Sequence, residues 1–143
     1  MAEAQRQEPN WQPLSMLATL TSHIESGIAM VRDQKATLEQ GLAQPYRLDD
    51  ATVTRAKKAF TQTAADNELF AEQGRRWAAE PGLAPAVRRR VEHYQSLVTE
   101  MTTETTAVLA IVDQLAAVTI EALMAKSDLE VGIEALARQG EGR

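Results

Sequence analysis

The chain has no cysteine and only two histidines in 143 residues. Missing thiols exclude disulfides, thiolate nucleophiles, cysteine-type zinc sites and iron–sulfur clusters together. Two imidazoles leave little material for metal or acid–base chemistry. Aromatic residues make up 4% of the chain, so aliphatic side chains must fill most of any core. Strand-like alternation of polar and apolar residues is lacking, which excludes a β architecture. A long uncharged run is lacking too. The most apolar stretch, residues 106–125, is interrupted by Asp113 and Glu121, and charges of this kind are costly at a bilayer centre. The first residues, MAEAQRQEPNW, show no basic region followed by an apolar one, the pattern of a signal peptide. A soluble, cytoplasmic protein without membrane insertion is therefore expected.

Hydrophobic residues make up 44% of the chain and charged residues 24%. A chain of this length fits one domain and buries enough surface to fold without covalent staples. The 15 Lys and Arg against 20 Asp and Glu give a net charge of −5. That balance argues against a general nucleic-acid binder.

Proline and glycine divide the chain. Residues 1–12 are polar and read as a frayed tail. A single helical-bundle domain is expected over 13–138, followed by a short tail, 139–143. Pro13 suits the first turn of a helix, where its missing N–H has no partner to lose. Leu17, Leu20, Ile24, Ile28, Val31, Leu38 and Leu42 then recur at helical steps, broken only by Lys35. That predicts an amphipathic helix closed at Gln44-Pro45. A second helix begins at Asp49 or Asp50, either of which can cap it. Its seam is Val53, Ala56, Phe60, Thr63, Asn67, Phe70, Gly74 and Trp77, and Glu80-Pro81-Gly82 stops it. A third helix starts near Pro85, with Val87, Val91, Tyr94, Met101, Thr105, Val108, Leu115 and Val118 on its seam. Ser127-Asp128-Leu129-Glu130 has the pattern of a capping box. It favours a short fourth helix from Asp128, the alternative being one unbroken third helix. The fold class expected is all-α: an antiparallel bundle of three long helices plus a short C-terminal helix or helix extension.

Folding the chain about Pro45 and Gly82 predicts a register. It sets Leu20 level with Phe70 and Tyr94, Ile24 with Asn67 and Leu97, and Val31 with Phe60 and Thr105. It also leaves residues 117–136 beyond the ends of helices 1 and 2. That overhang contains Val118, Ile120, Leu123, Met124, Leu129, Val131, Ile133 and Leu136. Large apolar side chains left in water forfeit about 1.5–3 kcal/mol each. These eight residues are therefore the expected homodimer interface.

Other groups are weighed against ordinary surface roles. His23, Asn67 and His93 fall at similar heights and could form a polar or metal site. The Glu-x-x-His spacing of di-iron bundles is missing, however, and neither a metal nor a cofactor is expected. Arg75, Arg76, Arg88, Arg89 and Arg90 gather at the turn between helices 2 and 3. They could meet an anion or a partner, or pair with nearby glutamates as a solvated face. Residues 91–125 contain no Lys or Arg, so the chain is basic at one tip and acidic along the other half. The threonine run 102–106 suggests a bend or a polar pocket. No catalytic motif stands out. The leading expectation is a non-enzymatic, homo-oligomeric interaction or scaffold protein with an unidentified protein partner. One alternative is a small-molecule or metal-binding bundle at the His23/His93 layer; another is anion or nucleic-acid binding at the arginine end.

Overall fold

The computed structural model describes residues 9–44 and 48–141, without the side chains of 119–123 and 125–141. Three α-helices follow one another: α1 Leu17–Ala43, α2 Asp50–Ala78 and α3 Pro85–Glu141. A 3-10 turn, Leu14–Met16, leads into α1. α3 packs along both α1 and α2, so it is the spine of the bundle. No strand occurs among the described residues.

Local chemistry accounts for the helix ends. The Asp49 carboxylate accepts a 2.7 Å hydrogen bond from the Thr52 amide, the capping expected of an aspartate there. Hydrogen bonding from Thr52 also lowers the Asp49 pKa from its ordinary value. Arg75 and Arg76 occupy the last turn of α2, where cations favour the helix dipole. Gly82 has φ 72°, a conformation open to glycine and poorly tolerated by side chains bearing Cβ. It lets the chain turn into α3, which starts at Pro85.

The core follows the predicted seams. Leu17, Ile24, Ile28, Val31 and Leu38 of α1 are buried, as are Val53, Phe60 and Trp77 of α2. On α3 the buried set is Val91, Tyr94, Val98, Met101, Thr105, Val108, Val112 and Leu115. Its steps alternate strictly between three and four, the pattern of a helix held in one continuous seam. Lys35, the break in the α1 seam, is half-buried and points its ammonium at Glu104, 2.6 Å away. Trp77 and Tyr94 meet edge to face, with ring centroids 5.1 Å apart. The Tyr94 hydroxyl donates to the Phe70 carbonyl at 2.9 Å. This close approach depends on Gly74, where a Cβ would lie 3.1 Å from Tyr94 Cε1 and 2.9 Å from Gln95 Cγ.

Two expectations about the chain path need correction. First, no fourth helix starts at Asp128: α3 runs unbroken through the Ser127-Asp128-Leu129-Glu130 sequence to Glu141. Ser and Glu can form a capping box only if the chain leaves the helix at serine. Nothing in AKSDLE, which holds neither proline nor glycine, forces it to do so. Second, the α2–α3 register is displaced. Asn67 meets Thr105, not the level of Leu97, and Lys57 meets Asp113. The shift is roughly two helical turns. Residues 79–84 advance along the bundle axis instead of reversing tightly, so the first turns of α3 extend past the end of α2. By contrast, α1 and α3 stand near the expected register, with Gly27 beside Met101 and Gly41 beside Leu115.

The polar segment before Pro13 is attached at its C-terminal end. Gln12 N–H donates to Gln73 Oε1 at 2.6 Å, and Gln73 Nε2 donates back to the Gln12 carbonyl at 3.3 Å. Trp77 Nε1 donates to the same carbonyl at 3.0 Å. The Arg76 guanidinium lies 4.2 Å above the Trp11 ring. The sequence reading of a tail through residue 12 missed this buried glutamine partner on α2.

Candidate functional site

The five arginines share one end of the bundle but not one face. Glu72 accepts from Arg75 Nε at 2.7 Å and lies 3.3 Å from Arg76 Nε. The Arg75 hydrogen bond, with both charges behind it, holds the Glu72 carboxyl below its ordinary pKa. These two arginines are thus committed to α2 and to Trp11. Arg88, Arg89 and Arg90 stand on the first turns of α3 and are exposed. They make no ion pair among the described residues. Arg89 and Arg90 line a cleft between α3 and α1, together with His93, Ala86, Ala18 and Thr21. Its volume is about 500 Å³. The displaced register accounts for the cleft: α3 starts where α2 has ended, so only α1 flanks it there.

The proposed histidine layer does not assemble. His23 is exposed and tilts against Phe70, centroids 5.6 Å apart. His93 belongs to the α1–α3 cleft, with Nε2 4.0 Å from Glu25 Oε1. Asn67 is buried between α2 and α3, where Nδ2 donates to Thr105 Oγ1 at 3.1 Å. Thr105 in turn donates to the Met101 carbonyl at 2.8 Å. No protein donor reaches Asn67 Oδ1. Among the described residues, no cluster of three or more His, Asp or Glu could hold a metal ion.

The threonine run does not interrupt α3. Thr102, Thr103, Thr105 and Thr106 each bond back to the carbonyl four residues earlier. Thr102, Thr105 and Thr106 also line a cavity of about 250 Å³ with Ala64, Asn67, Glu68 and Ala71.

The acidic half of α3 has specific partners that the sequence reading overlooked. Arg32 bonds Glu100 and approaches Glu104 at 3.8 Å; Lys35 bonds Glu104; Lys57 bonds Asp113 at 2.8 Å. The Lys35 hydrogen bond lowers the Glu104 pKa from its ordinary value. A usable signal was present, because α1 and α2 supply cations at the heights where α3 has only acids. Matching them would have fixed the register better than counting from Gly82.

Of the expected dimer residues, Val118 is half-buried and Met124 is 64% exposed. The side chains of Ile120, Leu123, Leu129, Val131, Ile133 and Leu136 lie outside the described residues. Their backbone belongs to α3. No helix among the described residues is long and apolar enough to cross a membrane. No protein-family model, curated protein or solved structure matches the chain.

Proposed function

We propose that the chain is a non-enzymatic helical interaction protein that works as a homodimer, joined through the part of α3 beyond the bundle. One observation carries this reading: α3 has 57 residues, against 27 in α1 and 29 in α2. The described core ends at Leu115, close to Gly41 at the end of α1. Asp50, where α2 starts, stands level with about residue 120 by the Lys57–Asp113 pairing, so α3 continues past both neighbours for about 21 residues, or about 32 Å at the α-helical rise. A lone helix of that length is only marginally stable in water, and helices in proteins depend mainly on packing an apolar face. The sequence supplies apolar residues for such packing on two sides of the helix, Ile120, Leu123, Met124 and Val131 on one and Leu129, Ile133 and Leu136 on the other. Monomers seldom expose apolar surface on that scale. A twofold contact covers two copies of the extension with one self-complementary surface. In that arrangement the two bundles stand apart at opposite ends of a helical connector, a geometry suited to presenting surfaces to other macromolecules.

Sedimentation at tens of micromolar tests the reading. The full chain should sediment at about twice its 15.7 kDa mass. A chain ending at Val118 should be monomeric, with α1, α2 and the first half of α3 still folded. Leu123→Glu combined with Leu129→Glu should also split the dimer. A full-length chain that sediments as a clean monomer would overturn the proposal.

A further inference from the structure

The cleft between α1 and α3 has a composition unlike the rest of the bundle surface. Its floor is small and largely apolar, from Ala18 and Ala86. Its polar groups are Arg89, Arg90, His93 and Thr21, and the Thr21 hydroxyl is already spent on the Leu17 carbonyl at 2.7 Å. Every polar group still available for a ligand therefore carries or can carry positive charge. Farther along α1 and α2, Arg32, Lys35 and Lys57 all meet carboxylates of α3. Arg89 and Arg90 meet none among the described residues, and Glu25, the carboxylate nearest His93, stands 4.0 Å from its Nε2. Consecutive arginines in the opening turns of a helix also add to the positive end of its dipole. Such an arrangement is unfavourable by itself and is relieved by an anion. The volume of about 500 Å³ falls within the range of small-ligand pockets, about 300–1,000 Å³. The cleft spans only one to two turns of each helix, which suits a small molecule better than a docked helix.

We propose that this cleft binds a phosphate monoester carried on a short apolar chain. The phosphate lies between the Arg89 and Arg90 guanidinium groups and His93; the apolar part rests on Ala18 and Ala86. Two guanidinium groups beside a helix N-terminus favour a dianion over a single carboxylate charge. The site is independent of the dimer contact at the other end of α3.

Titration of the full chain with hexyl phosphate, followed by NMR of backbone amides, tests the site. Saturable shifts should centre on Ala18, Thr21, Ala86, Arg89 and His93. Inorganic phosphate should shift the same amides with weaker affinity, hexanoate should bind several-fold more weakly, and hexanol should produce no saturable shift. Arg89→Gln with Arg90→Gln should weaken hexyl phosphate binding by at least about tenfold. Arg88→Gln, which removes one positive charge a residue outside the cleft, should change affinity less than about twofold. Ala18→Leu fills the floor without touching a charge and should also block binding. If Arg88→Gln weakens binding as much as the double variant does, the attraction is diffuse and the site is refuted. Equal response to hexanol, or no saturable shift at these amides up to about 10 mM ligand, overturns it as well.

Discussion

Replacing Asn67 by leucine should make the protein more stable. Asn67 is 1% exposed, and its amide is half-used: Nδ2 donates to Thr105 while no protein donor reaches Oδ1. The substitution removes one neutral hydrogen bond, a net loss of about 0.5–1.5 kcal/mol. It also removes a desolvated carbonyl without a protein partner, whose penalty is about 1–3 kcal/mol. Thr105 is not stranded, because its hydroxyl already donates to the Met101 carbonyl. Leucine has as many side-chain heavy atoms as asparagine and adds apolar burial, and the cavity of about 250 Å³ beside Asn67 gives room for its bulkier branch; packing strain and lost rotamer freedom offset part of that gain. The balance is a stabilisation of about 1–2 kcal/mol. With a urea m-value of about 1–3 kcal/mol/M, the unfolding midpoint should rise by roughly 1 M. Wild type and variant must be compared at one protein concentration, since self-association couples to apparent stability. Thr105→Val supplies the opposite perturbation. It strands the Asn67 amide nitrogen and should destabilise by about 1–3 kcal/mol. In the double variant that penalty should vanish, leaving a coupling measurable by the cycle. Destabilisation by Asn67→Leu of more than about 1 kcal/mol would refute the reasoning. It would show that Oδ1 is satisfied in solution and belongs to a working polar network.

Three further outcomes follow from the core and its charges. Trp77→Ala should cost about 3–5 kcal/mol, as for other fully buried aromatics, and Phe70→Ala clearly less, because Phe70 is only half-buried; equal losses in urea unfolding would contradict this ordering. The lowered pKa of Glu104 contributes stability that is present above its ordinary value of 4.5 and is lost as pH falls through the lowered folded value. Glu104→Gln should therefore flatten the acid limb of a stability–pH curve, and an unchanged limb would show that the Lys35 contact is not maintained. Burial pushes the Tyr94 hydroxyl up to about 12 from 10.0, so its contribution is complete below pH 10 and declines as pH rises through that window. Phenolate absorbance should show one late-titrating tyrosine, absent in Tyr94→Phe.

Periodicity made the helices legible. The apolar steps of α1, the Asp49 cap and the Pro85 start all report local rules, and local rules can be read one residue at a time. The phase of α2 was legible for the same reason: Phe60, Asn67, Gly74 and Trp77 recur at helical spacing and are all buried. Tertiary register was less legible because it depends on the path of a loop. Counting residues from Gly82 assumes a tight reversal, whereas 79–84 carries the chain along the axis. The same error hid the cleft. Five arginines near one turn looked like one patch, yet Glu72 commits two of them to α2 while the advance of α3 carries Arg89 and Arg90 toward α1. The end of α3 was misjudged for another reason. A capping box stabilises a helix start once a break exists, but it does not create the break.

The mismatch in helix length gives the molecule its polarity. α3 outruns α2 at its N-terminal end, where only α1 remains to flank it, and outruns both neighbours beyond about residue 120. Its charges change along the same axis. Arginines stand at the first end, and acids matched by Arg32, Lys35 and Lys57 hold the middle. The apolar pattern of 118–136 follows. The ion pairs are partly exposed and individually weak, but they match at only one height of α1 and α2 on the spine. Sliding either helix by one turn, about 5.4 Å, would break its pairs and move the cleft or shorten the extension. The middle of the bundle thus sets the exposure of both ends. Reversing one clamp, with Lys57→Asp and Asp113→Lys together, keeps the attraction and should leave both ends unchanged. Lys57→Asp alone places two acids face to face and should loosen α2 against the spine, read as faster amide exchange over 50–60 with exchange in α1 unaffected. Equal exchange in the single and double variants would show that apolar packing alone sets the register.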